Sequence, residues 1–244
     1  MELEDRVALV TGGAVRVGRT LGLTLAAHGA HVVINYHQSE EEAHALAEQI
    51  TTQYGRTALA IRADVSQAAQ VTAMFQAIED KFGRLDLLVN NAAIFYHRRF
   101  ADLGEEDFDV FINTNLKGVY LCSLAAARLM QRQGGGKIIN LSDVAAEKAW
   151  PGYLLYCVSK AGVVALTRNL AAALAPAITV NAIAPGIVLP AEGLDQASWQ
   201  QAAHKSLLKR AGTPEDVARA LLFVIASDFM TGAVVTVDGG RAVV

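Results

Sequence analysis

Cysteine is nearly missing from this chain of 244 residues, which has only Cys122 and Cys157. Their spacing fits no metal-ligand pattern, and two scattered thiols without a secretory context read as reduced core residues rather than a disulfide. The amino terminus, Met1 to Arg6, is acidic and leads straight into an apolar run, so it lacks the basic start and long apolar stretch of a signal peptide. Nor does any apolar run reach the roughly 18 residues that a spanning helix needs. These absences lead us to expect a cytoplasmic protein with no membrane partner. An excess of either charge is lacking too. The 21 Lys and Arg against 24 Asp and Glu leave a formal net charge of −3, which argues against bulk attraction to nucleic acid. His28, His31, His44, His97 and His204 show no ligand pairing at helix or strand spacing, so no metal is expected. Repeats, low-complexity tracts and interdomain linkers are also missing, which leaves one domain over residues 1–244.

What is present is core-forming material, with 52% hydrophobic and 18% charged residues. Short runs rich in Val, Ile and Leu read as seven strands: Arg6–Thr11, His31–Asn35, Thr57–Ala63, Leu85–Asn90, Lys137–Ser142, Ile178–Ile183 and Val234–Val237. Helical periodicity lies between them over Glu40–Gln53 and Gln67–Phe82, and in two longer stretches, Ala101–Gln133 and Tyr153–Ala175. Strands apolar on both faces and separated by helices predict an α/β fold with a single doubly wound, parallel seven-stranded sheet and helices on both faces. The segment 185–212, with Pro185, Pro190 and a short amphipathic helix near Ser198–Lys209, breaks the rhythm and is placed to act as a lid.

Thr11-Gly12-Gly13-Ala14-Val15-Arg16-Val17-Gly18 joins the first strand to the first helix. Glycines at such a turn let backbone approach a pyrophosphate that rests on the free amides of a helix N-terminus. The strict G-x-G-x-x-G spacing is absent, and a glycine turn alone serves many α/β folds. Further ligand positions fall at successive strand ends: Asp64-Val65 after the third, placed for adenine, and Asn90-Asn91-Ala92-Ala93 after the fourth. A carboxylate closing the second strand would grip a ribose 2′-hydroxyl and repel a 2′-phosphate. Here the chain reads Asn35-Tyr36-His37-Gln38-Ser39 with Arg16 nearby, which favours NADP over NAD. Against this, Glu40, Glu41 and Glu42 follow at once, and Ser39 with Glu42 also reads as a plain capping box.

Tyr156 and Lys160 stand four apart in a helical stretch and so share a face. An ammonium held there favours phenolate and lowers the tyrosine pKa, making Tyr156 a proton donor near neutrality. The same lysine is placed to bind the nicotinamide ribose. Tyr153 has no such partner, because Cys157 occupies the position four residues on. His97-Arg98-Arg99 is a small basic rim that reads either as a draw for an anionic tail or as a solvated loop.

The ordered set Thr11-Gly12…Gly18, Asn90-Asn91-Ala92, Asn115, Tyr156…Lys160, Pro185-Gly186 and Val237-Asp238-Gly239-Gly240 resembles the short-chain dehydrogenase/reductase family over nearly the whole chain, with its Rossmann-like fold. The resemblance implies Tyr156 as catalytic acid, Lys160 as ribose ligand and tuner of Tyr156, Asn115 as holder of a proton-relay water, and Pro185 and Gly186 beside the cofactor. It also implies a homotetramer. Three positions depart from the common pattern. Arg16 replaces the middle glycine, Ala93 the last glycine of Asn-Asn-Ala-Gly, and Asp143 the usual serine thirteen residues before Tyr156. Ser142 is expected to face the other way.

These departures are similar to the pteridine reductase branch, where an aromatic at the position of Phe95 stacks on the pterin and His37-Gln38-Ser39 matches the 2′-phosphate site. The implied activity is an NADPH-dependent reduction of a pterin or related C=N heterocycle, a small-molecule substrate. Arg16, Phe95, Asp143 and Tyr156 would contact it, and Asp143 and Tyr156 would supply or relay the proton. Other readings are a carbonyl reductase of the 3-oxoacyl or sugar-ketone kind, against which the missing serine counts, and a catalytically silent NADP-binding sensor or scaffold, against which intact Tyr156, Lys160 and Asn115 count.

Overall fold

A computed structural model describes residues 1–190 and 195–244. The strands are β1 (Val7–Val10), β2 (His31–Tyr36), β3 (Ala58–Arg62), β4 (Leu87–Asn90), β5 (Gly136–Leu141), β6 (Ile178–Pro185) and β7 (Val234–Val237). The helices are α1 (Arg16–Ala27), α2 (Glu40–Tyr54), α3 (Ala68–Phe82), α4 (Glu105–Ile112), α5 (Gly118–Arg132), α6 (Leu154–Leu174), α7 (Gln196–His204) and α8 (Pro214–Ala226). All strand pairs are parallel, in the order β3-β2-β1-β4-β5-β6-β7. This is the doubly wound sheet that the apolar runs predict.

The central strands β1 and β4 are buried at every residue, whereas the edge strands β3 and β7 are only partly covered. Burial on both faces is why the central runs show no polar alternation. One core packs Leu21 and Leu25 of α1, Leu46 and Ile50 of α2 and Leu221 and Val224 of α8 on the sheet. The other places Met74 and Ile78 of α3, Cys122, Ala126 and Met130 of α5 and Ala171 of α6 on the opposite face. Strand order reverses between β1 and β4, so their carboxyl ends open a crevice there.

Three expectations need correction. The predicted helix Ala101–Gln133 is two helices, α4 and α5, joined by a π-helical turn over Asn113–Lys117. The wider turn presents Asn115 to the backbone of Ile94, a phase shift that periodicity cannot reveal. The lid helix spans Gln196–His204, shorter than expected, because Ser206 Oγ bonds the carbonyls of Ala203 and Arg210 and turns the chain. Residues 191–194 of the lid segment lie outside the described residues. Finally, the stretch Pro151–Leu174 containing α6 is long and apolar enough to cross a membrane by length and composition. It is a sheet-packing helix that carries buried Lys160 and Tyr156, and Val163 and Val164 belong to the interior of the chain itself.

Candidate active site

A cleft of about 700 Å³ opens at the carboxyl ends of the strands. Of the residues predicted to act there, Gly12, Arg16, Val17, Gly18, Asn91, Ala92, Phe95, Asp143, Tyr156, Lys160, Pro185 and Gly186 line it. Ligand placement at strand ends explains why positions so far apart in sequence converge.

The nucleotide turn is held tightly from both sides. Asn91 Nδ2 donates to the carbonyls of Thr11 and Gly12, each at 2.9 Å, and Thr11 Oγ1 accepts from the backbone N–H of Asn91 and Ala92. Asn35 Oδ1 accepts from the Gly12 N–H at 3.3 Å, while its amide donates to the Ala63 carbonyl at 2.9 Å. A Cβ on Gly12, whose φ is +58°, would stand 2.9 Å from the Ala92 Cα, so only glycine fits this cradle. Arg16 also has a positive φ, +54°, a conformation that costs a non-glycine residue about 1–2 kcal/mol. The conformation suited to the glycine it replaces is therefore kept, with a side chain added. Its Nη2 donates to the Pro190 carbonyl at 2.7 Å, across the cleft on the lid segment. The turn, the narrow backbone gap and the free helix N-terminus fit a dinucleotide pyrophosphate.

At the end of β2, His37 and Gln38 are exposed and Ser39 stands at the N-cap of α2 without a side-chain capping bond. The alternative of a capping box is thus not formed. Asp64 accepts the Ser66 N–H at 2.9 Å and so shapes the turn into α3, while Val65 is buried against Gly118. None of these five residues lines the cleft itself.

Asp143 follows β5 and Tyr156 sits in the first turns of α6, which brings their side chains together. Tyr156 Oη donates to Asp143 Oδ2 at 2.8 Å, and Asp143 Oδ1 accepts the Ala145 N–H at 2.8 Å. Burial pushes the Asp143 carboxyl above its ordinary range, opposed by those two hydrogen bonds and by the charge of Lys160. Burial, and then the adjacent carboxylate, push Tyr156 well above 10. Lys160 is buried, donates to the Leu141 carbonyl at 2.7 Å, and is lowered to about 8 by desolvation.

This corrects the expectation that Lys160 lowers the Tyr156 pKa. The ammonium is 5.7 Å from the phenol ring centroid and bonded elsewhere, whereas the carboxylate is in direct contact. Asn115 is buried in the π turn. Its side chain clamps Ile94, accepting the N–H at 2.8 Å and donating to the carbonyl at 3.0 Å, with a further bond to Ser159 Oγ. The amide is thereby occupied in fixing the loop that carries Phe95.

Phe95 and Tyr153 stack with centroids 4.7 Å apart and planes 2° apart, and Phe95 meets Tyr156 edge-on at 4.7 Å. Phe95 remains 41% exposed. Tyr153, set aside on sequence because it lacks a lysine partner, is therefore part of an aromatic platform beside the acid pair. Ser142, as expected, turns away from Tyr156, its Oγ donating to the Lys160 carbonyl at 3.2 Å. Trp150, Trp199, Lys205 and Arg241 also line the cleft and went unnoticed in the sequence, where no motif links them. In the basic rim, Arg98 pairs with Asp107 and Arg99 with Asp102, the solvated-loop reading, while His97 alone lines the cleft.

A family model described as "Enoyl-(Acyl carrier protein) reductase" matches residues 13–242. A 3-oxoacyl-[acyl-carrier-protein] reductase FabG of Staphylococcus aureus is 40% identical over 239 residues, covering 96% of both chains. The short-chain reductase protein NovJ of Streptomyces niveus is 40% identical over 250 residues, covering 98% of this chain and 94% of its own. Among solved structures, a short-chain dehydrogenase/reductase from Serratia marcescens superposes with a TM-score of 0.92 at 33% identity, covering 99% of this chain and all of the other.

Proposed function

The chain belongs to the short-chain dehydrogenase/reductase family and is an oxidoreductase, and from that premise we propose that it is an NADPH-dependent reductase of a planar C=N heterocycle of the pterin type. The observation that carries this reading is the 2.8 Å bond between Tyr156 and Asp143, two acidic groups whose pKa values burial raises. NADP fits the absence of a carboxylate at the end of β2 and the uncapped Ser39. Gly12, Gly18, Asn91 and Lys160 would hold the dinucleotide, which when bound supplies the hydride.

The proton is the chain's own contribution. Reducing a C=N bond places hydride on carbon and requires a proton on nitrogen. Tyr156 holds that proton in the cleft, and Asp143 returns one to the tyrosine oxygen through the bond already formed, to be replenished from solvent. The platform of Phe95 and Tyr153 offers a flat aromatic surface for a planar ring. A carbonyl needs only a donor to polarise oxygen, a task for which a serine suffices, whereas a ring edge with several donors and acceptors benefits from a carboxyl.

The named relatives support a second reading more than this one: reduction of a 3-oxoacyl thioester, the reaction in the printed name of the Staphylococcus protein. In the neutral form that burial favours, Asp143 can donate to a carbonyl oxygen as a hydroxyl would. The homotetramer belongs to the proposal too, with exposed Leu154, Val158 and Phe223 available for contact.

The test is NADPH oxidation with a dihydropterin and with acetoacetyl thioester, for the wild type and Asp143→Ser. The first reading expects dihydropterin turnover and a loss of about 100-fold or more in the variant. Turnover of the thioester alone, kept or raised in the variant, establishes the second reading instead.

A further inference from the structure

Five charged side chains line the cleft: Arg16, Asp143, Lys160, Lys205 and Arg241. Three of them have structural or catalytic engagements already described. Arg16 bonds the Pro190 carbonyl, Lys160 bonds the Leu141 carbonyl and Asp143 bonds Tyr156. Lys205 and Arg241 have none, and among the described residues neither forms an ion pair. Arg241 is the more unusual of the two. Its Nε is buried with no hydrogen-bond partner, and its guanidinium makes only a long contact, Nη1 to the Val244 carbonyl at 3.4 Å, among the described residues. A buried donor without a partner costs about 1–3 kcal/mol, so its persistence calls for an acceptor.

The segments that carry the two cations are tied together by backbone. Lys205 follows the last turn of α7, and the chain after it is tied to the carboxy-terminal turn by the Leu208 N–H bonding the Gly239 carbonyl at 3.1 Å. Asp238 sets that turn, accepting from the Gly240 N–H at 2.8 Å and the Ala242 N–H at 2.6 Å, which fixes the backbone on either side of Arg241. Trp199, on α7, lines the same wall. The wall thus combines an aromatic surface with two unpaired cations, apart from the nucleotide turn and its own Arg16.

We propose that Lys205 and Arg241 form a subsite for an anionic tail, a carboxylate or phosphate, on the substrate that Tyr156 protonates. The proposal rests on this cleft being the substrate site and holds for either substrate reading, since both kinds of molecule exist with and without such a tail. The half-buried guanidinium of Arg241 and the exposed ammonium of Lys205 together hold an anion through charge-assisted hydrogen bonds.

The experiment measures equilibrium binding to the NADP-loaded protein for two matched pairs. One is a dihydropterin with a glutamate-bearing tail against the same ring without it. The other is acetoacetyl coenzyme A against acetoacetyl-N-acetylcysteamine. The anionic member of the pair that binds is expected to do so roughly tenfold or more tighter, and Arg241→Gln with Lys205→Gln to bring that ratio near one, while the KM for NADPH is unchanged. Arg241→Lys should restore part of the preference. A ratio near one in the wild type, binding by neither pair, or a rise in the KM for NADPH in place of the lost preference would overturn the subsite. If only the thioester pair binds, the heterocycle reading fails while the subsite is still decided by that pair's ratio.

Discussion

Two carboxylates are withdrawn from solvent at opposite ends of the sheet, and the chain treats them in opposite ways. Asp86, at the amino-terminal edge just before β4, is 3% exposed and fully compensated. Arg84 donates to both its oxygens at 2.8 and 2.6 Å, the Val7 N–H adds a bond at 2.9 Å, and Arg6 reaches it at 3.3 Å. Asp143, at the carboxyl edge, has one backbone N–H and one phenol, and its nearest cation is bonded elsewhere. The structural carboxylate is surrounded with positive charge and hydrogen-bond donors. A carboxyl meant to handle protons is left short of compensation, and burial then favours its neutral form.

The contrast can be broken first at the compensated end. Asp86→Ala should destabilise the fold by about 2–3 kcal/mol, because it orphans the buried Val7 N–H and unpairs Arg84, and denaturant titration would register the loss. At the other end the sign reverses. A carboxyl whose folded pKa lies above its unfolded value binds more protons when folded, so it loses stability as pH rises from the ordinary carboxylate range through the raised value. Asp143→Asn should therefore match the wild type at low pH and exceed it by about 1 kcal/mol above that window, visible as a pH-dependent difference in Tm.

A smaller effect concerns Lys160, which desolvation lowers to about 8. Its ammonium is present below that pH and lost above it. kcat/KM for NADPH should fall by about tenfold per unit beyond pH 8, and Lys160→Arg should abolish that limb by keeping the charge.

The sequence already revealed the residues whose chemistry depends on local spacing. Tyr156 and Lys160 share a helical face, the glycine turn follows a strand, and the apolar runs mark every strand of the sheet. Three things were hidden for physical reasons. The π turn at Asn115 coincides with a tertiary bond to Ile94, which helix periodicity does not encode. The upward shift of Tyr156 depends on burial and on a partner thirteen residues away, so spacing to Lys160 misjudged its sign. Lys205 and Arg241 line one cleft although they are far apart in sequence, their segments being joined by a backbone bond between Leu208 and Gly239.

The most direct test of the account is infrared difference spectroscopy of the wild type against Asp143→Asn across pH. The account predicts a protonated carboxyl band, missing in the variant, that persists above the ordinary aspartate range and disappears only at higher pH. A band that titrates near pH 4, as a solvated aspartate does, would contradict the claim that Asp143 and Tyr156 form a proton-holding pair.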